Sequence, residues 1–426
     1  MIDQKLIIEN PDLIAKKLAK KGCIVDFKPF LELVKRRKEL LIAVEGAKQQ
    51  RNELSASVPS VKKAGGDVNA IFAKVKEIAV RSAKDEEELK KIEEEITNFL
   101  LPLPNLPDDD LLPGGKENNK VIHEFGKIPE FSFPIKNHVD LCESLGLIDY
   151  DRAAKMSGHG TWVYTGLGAQ LEWALLNFFI QEHLKDGYTF MLPPHILNYE
   201  SGFVAGQFPK FIDDVFSLEN VSPRKFILPT AETALVNYHR DEILSEDELP
   251  KKYFAYTPCY RKEAGAYRTE ERGMIRGYQF NKVEMFQYTT EEGDQAAFEE
   301  LVTKACSLME KLGLVFRVSK LAAEDISASM ARTYDIEVYI PSVGIFKEVS
   351  SVSTAHDYQA RRGMIRYRDK ATGKVKYAHT LNGSGLATSR IFPALVEQMQ
   401  QPDGSIKIPE VLRPFMGGLE YIKPKK

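Results

Sequence analysis

Apolar or small residues recur every three or four positions at Phe30, Leu33, Leu40, Val44, Ala47 and Leu54, and the spacing returns at Ile71, Val75, Ile78, Leu89, Ile92, Ile96 and Phe99. A stripe of that period runs down one face of a helix, so the pattern predicts two long helices. Pro59 and the Gly65-Gly66 pair stand between them, where the chain has to reverse. The expected element is an antiparallel coiled-coil hairpin over residues 30–101, with Ser82 and Asp85 as polar interruptions of its seam.

Past Leu101 the pattern changes. The run Leu101-Pro102-Leu103-Pro104-Asn105-Leu106-Pro107 cannot continue a helix, which predicts a linker over 102–120 between an N-terminal domain of 1–101 and a second domain of 121–426. In that second part a helical pattern over 169–184 is followed by strand patterns over 254–263, 279–288, 334–340 and 346–351, with short turns such as 341–344. Strands joined by short turns pair antiparallel, so the expected class is α+β, an antiparallel sheet flanked by helices. Two further segments carry expectations of their own. Thr230, after Pro229, suits the N-cap of a helix reaching Leu244; Lys376-Tyr377 reads as a strand, followed by a small-residue loop containing Gly383 and Gly385 and then a helix with Arg390 near its start.

Composition narrows this picture little. The chain of 426 residues is 43% hydrophobic and 28% charged with a formal net charge of -3, which is ordinary for a globular protein and excludes one coated in basic surface. Cys23, Cys142, Cys259 and Cys306 form no CxxC pair, and the eight histidines are dispersed, so no zinc is expected. No long uncharged apolar run occurs, and the expectation is a cytoplasmic protein without membrane contact.

Charge matters locally instead. Lys35-Arg36-Arg37-Lys38, Lys48, Arg51, Lys62 and Lys63 crowd the first helix and the tip of the hairpin, while acids gather at 86–88 and 93–95 on the second helix. A basic edge can hold a phosphate backbone without reading bases. A hairpin that is only a solvated structural element is the plainer alternative, and Arg37 and Arg51, which fall on the seam, can instead pair with acids of the second helix.

The densest chemistry lies on two strands flanking the loop 264–277. Alternation puts Arg261 and Glu263 on one face of the first strand and Phe280, Lys282 and Glu284 on one face of the second. An arginine clamps a carboxylate or phosphate in bidentate fashion, a phenylalanine stacks on a flat ring, and a carboxylate holds an ammonium group. Each also has a structural reading: Phe280 as core, Arg261 paired with Glu263 or Glu284. Thr230 and Glu232 can accept hydrogen bonds from a small polar substrate or merely serve the helix start. Glu348 and Ser351 offer oxygen ligands suited to a magnesium ion that also touches phosphates, or a solvated strand face. Neither a GxxxxGK[ST] loop nor a GxGxxG after a strand occurs, so P-loop and dinucleotide-binding readings are weak.

Assembled in order, these segments resemble the bacterial-type seryl-tRNA synthetases of the class II aminoacyl-tRNA synthetases. The resemblance spans nearly the whole chain: the two-helix arm, Leu192-Pro193-Pro194, Thr230-Ala231-Glu232, the Arg261 hairpin, the strand from Tyr334 to Val338, Gln359 to Arg362, His379 to Arg390, and Ile408 to Pro414. It implies activation of serine by ATP to seryl-adenylate, then transfer to the 3′ end of the serine tRNA, by a homodimer. It assigns Arg261 and Arg390 to catalysis. Thr230, Ala231, Glu232, Arg261, Glu284, Asn382 and Ser384 fall to serine. Arg261, Lys262, Glu263, Phe280, Glu348, Val349, Ser350, Ser351 and Arg390 fall to ATP, with Phe280 and Arg390 sandwiching the adenine and Glu348 and Ser351 holding Mg²⁺. The basic arm is implied to grip the tRNA. The chain departs from the family pattern at Ala323-Glu324-Asp325, Tyr278, Val352, Gln170 and Trp173, which bears on acceptor-end fit, dimer packing and amino-acid specificity.

Overall fold

The computed structural model describes residues 1–262 and 273–424, and these fall into two compact units. One contains Ile2–Ala19 and Cys23–Leu103; the other is built from Pro104 onward, with Met1 and residues 20–22.

The first unit is dominated by two helices, α1 (Lys28–Lys63) and α2 (Val68–Leu100). Phe30, Leu40 and Ala47 of α1 and Ser82, Ile96 and Leu100 of α2 are buried along the seam. Phe30 and Phe99 close one end with ring centroids 5.5 Å apart. Two ion pairs lace the flank, Arg36 to Glu88 at 2.7 Å and Arg37 to Glu93 at 3.1 Å. Arg37 thus takes a partner from the second helix. The reversal falls at the expected Gly65-Gly66 pair, within Ala64–Asp67, but Pro59 lies inside α1. Gly65 has φ +72° there, which a glycine adopts freely, and Asp67 caps α2 by accepting from the N–H groups of Asn69 and Ala70. One proline therefore costs α1 a hydrogen bond without ending it.

The second unit is organised on an eight-stranded sheet. Its strands are β1 (Lys120–Phe125), β2 (Thr189–Met191), β3 (Lys251–Tyr260), β4 (Gln279–Thr289), β5 (Phe316–Lys320), β6 (Arg332–Ile340), β7 (Ile345–His356) and β8 (His379–Ala387), in the order β1-β5-β6-β7-β8-β4-β3-β2. Every pairing is antiparallel except β2 with β3. Helices α3 (Leu167–Lys185), α4 (Asp294–Leu312) and α5 (Thr388–Gln398) bury Leu171, Leu175, Phe179, Leu301, Met309 and Phe392 in the same core as strand residues such as Met285, Ile336 and Val352.

β8 corrects the expectation for its segment. The small-residue stretch is a nine-residue strand in the middle of the sheet, pairing with β7 on one side and β4 on the other. Its glycines serve close packing. A Cβ on Gly383 would lie 3.2 Å from Val352 Cγ2, and one on Gly385 would lie 2.2 Å from His183 Nε2, whose N–H donates to the Gly385 carbonyl at 3.0 Å. Burial lowers the His183 pKa, against the opposing effect of the hydrogen bond to the Gly385 carbonyl. The helix after Thr230 is also shorter than expected, a single turn from Glu232 to Leu235.

Candidate active site

The face of β8, β7 and β4, together with the Thr230 segment, surrounds a cleft of about 580 Å³. Asn382 and Ser384 come from β8, Phe280, Lys282 and Glu284 from β4, and Glu348 to Ser351 from β7. Arg261 enters from just past the end of β3 and Arg390 from the first turn of α5. Two-residue alternation brings Asn382 with Ser384, and Phe280 with Lys282 and Glu284, to one face, and a register shift of β7 against β6 falls at its contribution, Glu348 to Ser351.

One end of the cleft is a buried carboxylate pair. Glu232 and Glu284 are almost fully buried, and the Asn382 side-chain amide donates to both, at 3.0 and 3.3 Å. Gln359 donates to the other oxygen of Glu232 at 2.8 Å and is itself held by the Thr380 hydroxyl at 2.7 Å. Burial first, and then the negative charge of Glu284, pushes the Glu232 carboxyl up to about 7. Lys282 pairs with Glu284, and its ammonium donates to the Thr230 hydroxyl at 2.7 Å. That hydroxyl also accepts from the Glu232 N–H at 3.3 Å, so Thr230 helps start the short helix and faces the cleft at once. Buried Asn382 Oδ1 has no hydrogen-bond partner among the described residues. This end offers acceptors to a small molecule rich in donors.

The other end is cationic. The Arg261 guanidinium lies over the Phe280 ring at 5.2 Å and donates to the Pro229 carbonyl at 3.3 Å. Arg390 donates to the Glu348 carbonyl at 2.7 Å and to the Ile275 carbonyl at 3.3 Å, and stands 3.6 Å from the Glu348 carboxylate. Phe280 and Arg390 both line the cleft, though the cation stacked on Phe280 here is Arg261.

Oxygen ligands gather beside Arg390. The Ser351 hydroxyl bonds to Asp335, whose carboxyl is pushed well above the usual carboxylate range by burial and then by the charge of Glu348. Asp335 Oδ1 is buried without a hydrogen-bond partner among the described residues. An orphaned buried carboxyl oxygen next to a second carboxylate and a hydroxyl is a donor set that fits a hard divalent cation.

Of the residues singled out by sequence, Thr230, Glu232, Arg261, Phe280, Glu284, Glu348, Val349, Ser350, Ser351, Asn382, Ser384 and Arg390 all line this cleft. Ala231 is buried and Lys262 bonds by its backbone to Asp214; neither lines it. Glu263 lies outside the described residues, as do positions 264–272 of the loop. Gln359 and Asp335 carry no sequence signal of their own, each lying inside a longer motif. The departures Ala323 to Asp325, Tyr278, Val352, Gln170 and Trp173 are all absent from the lining.

An antiparallel sheet carrying an arginine past one strand end, a second arginine at the start of the helix after the central strand, and paired acids between them defines the core of a class II aminoacyl-tRNA synthetase. Residues 216–399 match the family model "tRNA synthetase class II core domain (G, H, P, S and T)", and residues 1–107 match "Seryl-tRNA synthetase N-terminal domain". The chain is 58% identical to "Serine--tRNA ligase 2" of Clostridium acetobutylicum over 98% of its own length and 99% of the relative's. It is 42% identical to "Serine--tRNA ligase" of Thermodesulfovibrio yellowstonii, with the same coverage. The crystal structure of seryl-tRNA synthetase from Pyrococcus horikoshii complexed with ATP superposes with a TM-score of 0.91 at 32% identity, covering 100% of both chains. The chain belongs to the seryl-tRNA synthetase family.

Proposed function

We propose that this cleft activates L-serine with ATP and that the seryl group is then passed to the 3′ end of the serine tRNA. In the first step a serine carboxylate oxygen attacks the α-phosphorus, the bond to the β-phosphate oxygen breaks, and pyrophosphate leaves. In the second, a terminal ribose hydroxyl of the tRNA attacks the acyl carbon, and AMP leaves with the bonding electron pair. Neither step needs a protein nucleophile, so rate comes from alignment and charge neutralisation.

The observation that carries the reading is the polarity of the cleft, buried acids at one end and two guanidinium groups at the other. Glu232 and Glu284 would hold the serine ammonium, with Thr230, Asn382 and Ser384 around the amino and hydroxyl groups. Arg261 would lie between the serine carboxylate and the α-phosphate. Phe280 and Arg390 would enclose the adenine, with the backbone of Val349 and Ser350 beside the nucleotide. Glu348 and Ser351, backed by Asp335, would hold Mg²⁺, which supplies charge neutralisation on the phosphates when bound. An analogue lacking the serine hydroxyl would leave buried polar groups unpaired, at about 1–3 kcal/mol each.

The basic edge of α1 would grip tRNA through its backbone. A homodimer is part of the proposal: Trp173, Phe190, Leu192 and Ile196 leave substantial apolar surface exposed, Leu192 the most at 72%. None of the described helices is long and apolar enough to cross a membrane, and a cytoplasmic location is part of the proposal. The direct test is ATP–pyrophosphate exchange over a panel of amino acids. Serine alone should support exchange, and a folded sample showing none with serine would overturn the proposal.

A further inference from the structure

Away from the cleft lining, four residues distant in sequence converge. Asp294 is the first residue of α4, His356 the last of β7 and His379 the first of β8. Asp294 Oδ2 lies 2.7 Å from His379 Nδ1, 3.1 Å from His356 Nδ1 and 2.8 Å from the Thr354 hydroxyl, which donates to it. The two imidazoles therefore turn the same nitrogen toward one carboxylate oxygen. The second nitrogen of His356 is engaged as well: Nε2 is 2.8 Å from Asp108 Oδ1, and the other oxygen of Asp108 is 2.7 Å from Arg332. Asp294 is buried, and His356 and His379 are partly buried.

We propose that Asp294, His356 and His379 form a binding site for a late first-row divalent cation, zinc foremost, with Asp108 orienting His356 from the outer shell. The three ligand atoms, Asp294 Oδ2, His356 Nδ1 and His379 Nδ1, all lie within 4.8 Å of one another. Ligands at the usual zinc distances of about 2.0–2.2 Å stand about 3.3 Å apart in a tetrahedron, so small side-chain adjustments admit the ion, with water as the fourth ligand. Two imidazole nitrogens and one carboxylate oxygen select zinc and its neighbours over magnesium or calcium, which take oxygen sets. A carboxylate on the far nitrogen of a ligating imidazole is the usual outer-shell partner, fixing its tautomer and tilt. In the absence of metal the same atoms hold together through hydrogen bonds, and a bound ion takes the place of the two Nδ1 protons, which are released to solvent.

No zinc is expected from the sequence, because no two ligands are close in the chain. Their convergence depends on the pairing of β7 with β8 and the placement of the α4 start beside both. A bound ion would clasp α4 to the two strands that carry Glu348, Ser351, Asn382 and Ser384 farther along, and so act as a staple, not as a reactant.

The test uses the full chain carrying Cys23→Ser, because Cys23 is the one cysteine of the four that is not buried. Chelator-treated protein is titrated with Co²⁺, followed by its d–d absorption, and then with Zn²⁺ in competition. One equivalent should bind in a low-symmetry nitrogen–oxygen environment, and zinc should raise the melting temperature. His356→Gln, close in volume, should abolish the Co²⁺ spectrum and the thermal shift, and Asp108→Asn should weaken binding by about 10- to 100-fold. Far-UV circular dichroism shows whether each variant is folded. Equal Co²⁺ affinity in the parent and both folded variants, or no spectrum in the parent at millimolar metal, would overturn the proposal and leave a hydrogen-bonded cluster only.

Discussion

Glu232 has a carboxyl whose environment sets a measurable pH dependence. It ionises near 7 in the folded chain against 4.5 ordinarily, because burial and Glu284 disfavour its charge. Between those values the folded chain keeps a proton that the unfolded chain has lost, so this group's contribution to stability falls as pH rises through the window. Substrate binding works in the opposite sense, since a serine ammonium favours the ionised carboxylate. The KM for serine in pyrophosphate exchange should therefore rise as pH falls below 7, approaching about tenfold per unit, while the KM for ATP stays nearly level. Glu232→Gln should flatten that profile; an unchanged slope in the variant would assign the titration elsewhere. Arg261 is the complementary case at the cationic end. Arg261→Ala should lower exchange by about 10²- to 10³-fold, a loss typical of one preorganised donor, with the melting temperature little changed because its side chain is exposed. Arg261 was visible in the sequence because charged side chains sat at alternating positions beside an aromatic one, and Glu232 because it follows Thr230 at the start of an expected helix. Gln359 was not, since its amide is defined by Glu232, Thr380 and the Ala205 carbonyl, which lie 127, 21 and 154 residues away.

At the scale of elements, periodicity was most legible where one face is buried and the other is solvated. α1 and α2 have that character, and so do β6 and β7 over part of their lengths. It failed for β8, most of whose residues are buried on both faces, so no polar alternation marks it as a strand. Glycines that look like loop punctuation there are spacers between helix and sheet. Gly385→Ala should accordingly cost about 1–3 kcal/mol in chemical denaturation, because the added methyl meets the His183 ring. Replacing His183 by alanine as well should recover part of that loss, giving a non-additive double-mutant cycle. Pro59 shows the converse error, a strong local signal that tertiary packing overrides. The reversal is marked instead by the Gly65-Gly66 pair and the cap that follows it, and Asp67→Ala should lower the local stability of the hairpin tip by about 1 kcal/mol, read by hydrogen exchange at Asn69 and Ala70.

For the whole molecule, a net charge of -3 hides a division between a site that handles small ions at close range and a helix edge suited to phosphates. Salt separates them. Contacts inside the cleft are short and partly desolvated, so serine-dependent exchange should change little between low and physiological salt. Binding of tRNA to the α1 edge releases counterions, so its logarithm should fall steeply and linearly with the logarithm of salt concentration. The structure also says which cations to test. Arg36 and Arg37 are tied to Glu88 and Glu93, so reversing them would disturb the hairpin together with the surface. Lys35 and Lys38 are exposed and are the cleaner probes. Lys35→Gln with Lys38→Gln should reduce the salt slope of tRNA binding by about 2, raise the KM for tRNA in serylation, and leave pyrophosphate exchange unchanged. An unchanged slope in the double variant would place the tRNA backbone on another face of the hairpin. A parallel loss of exchange would show instead that the two activities share one surface.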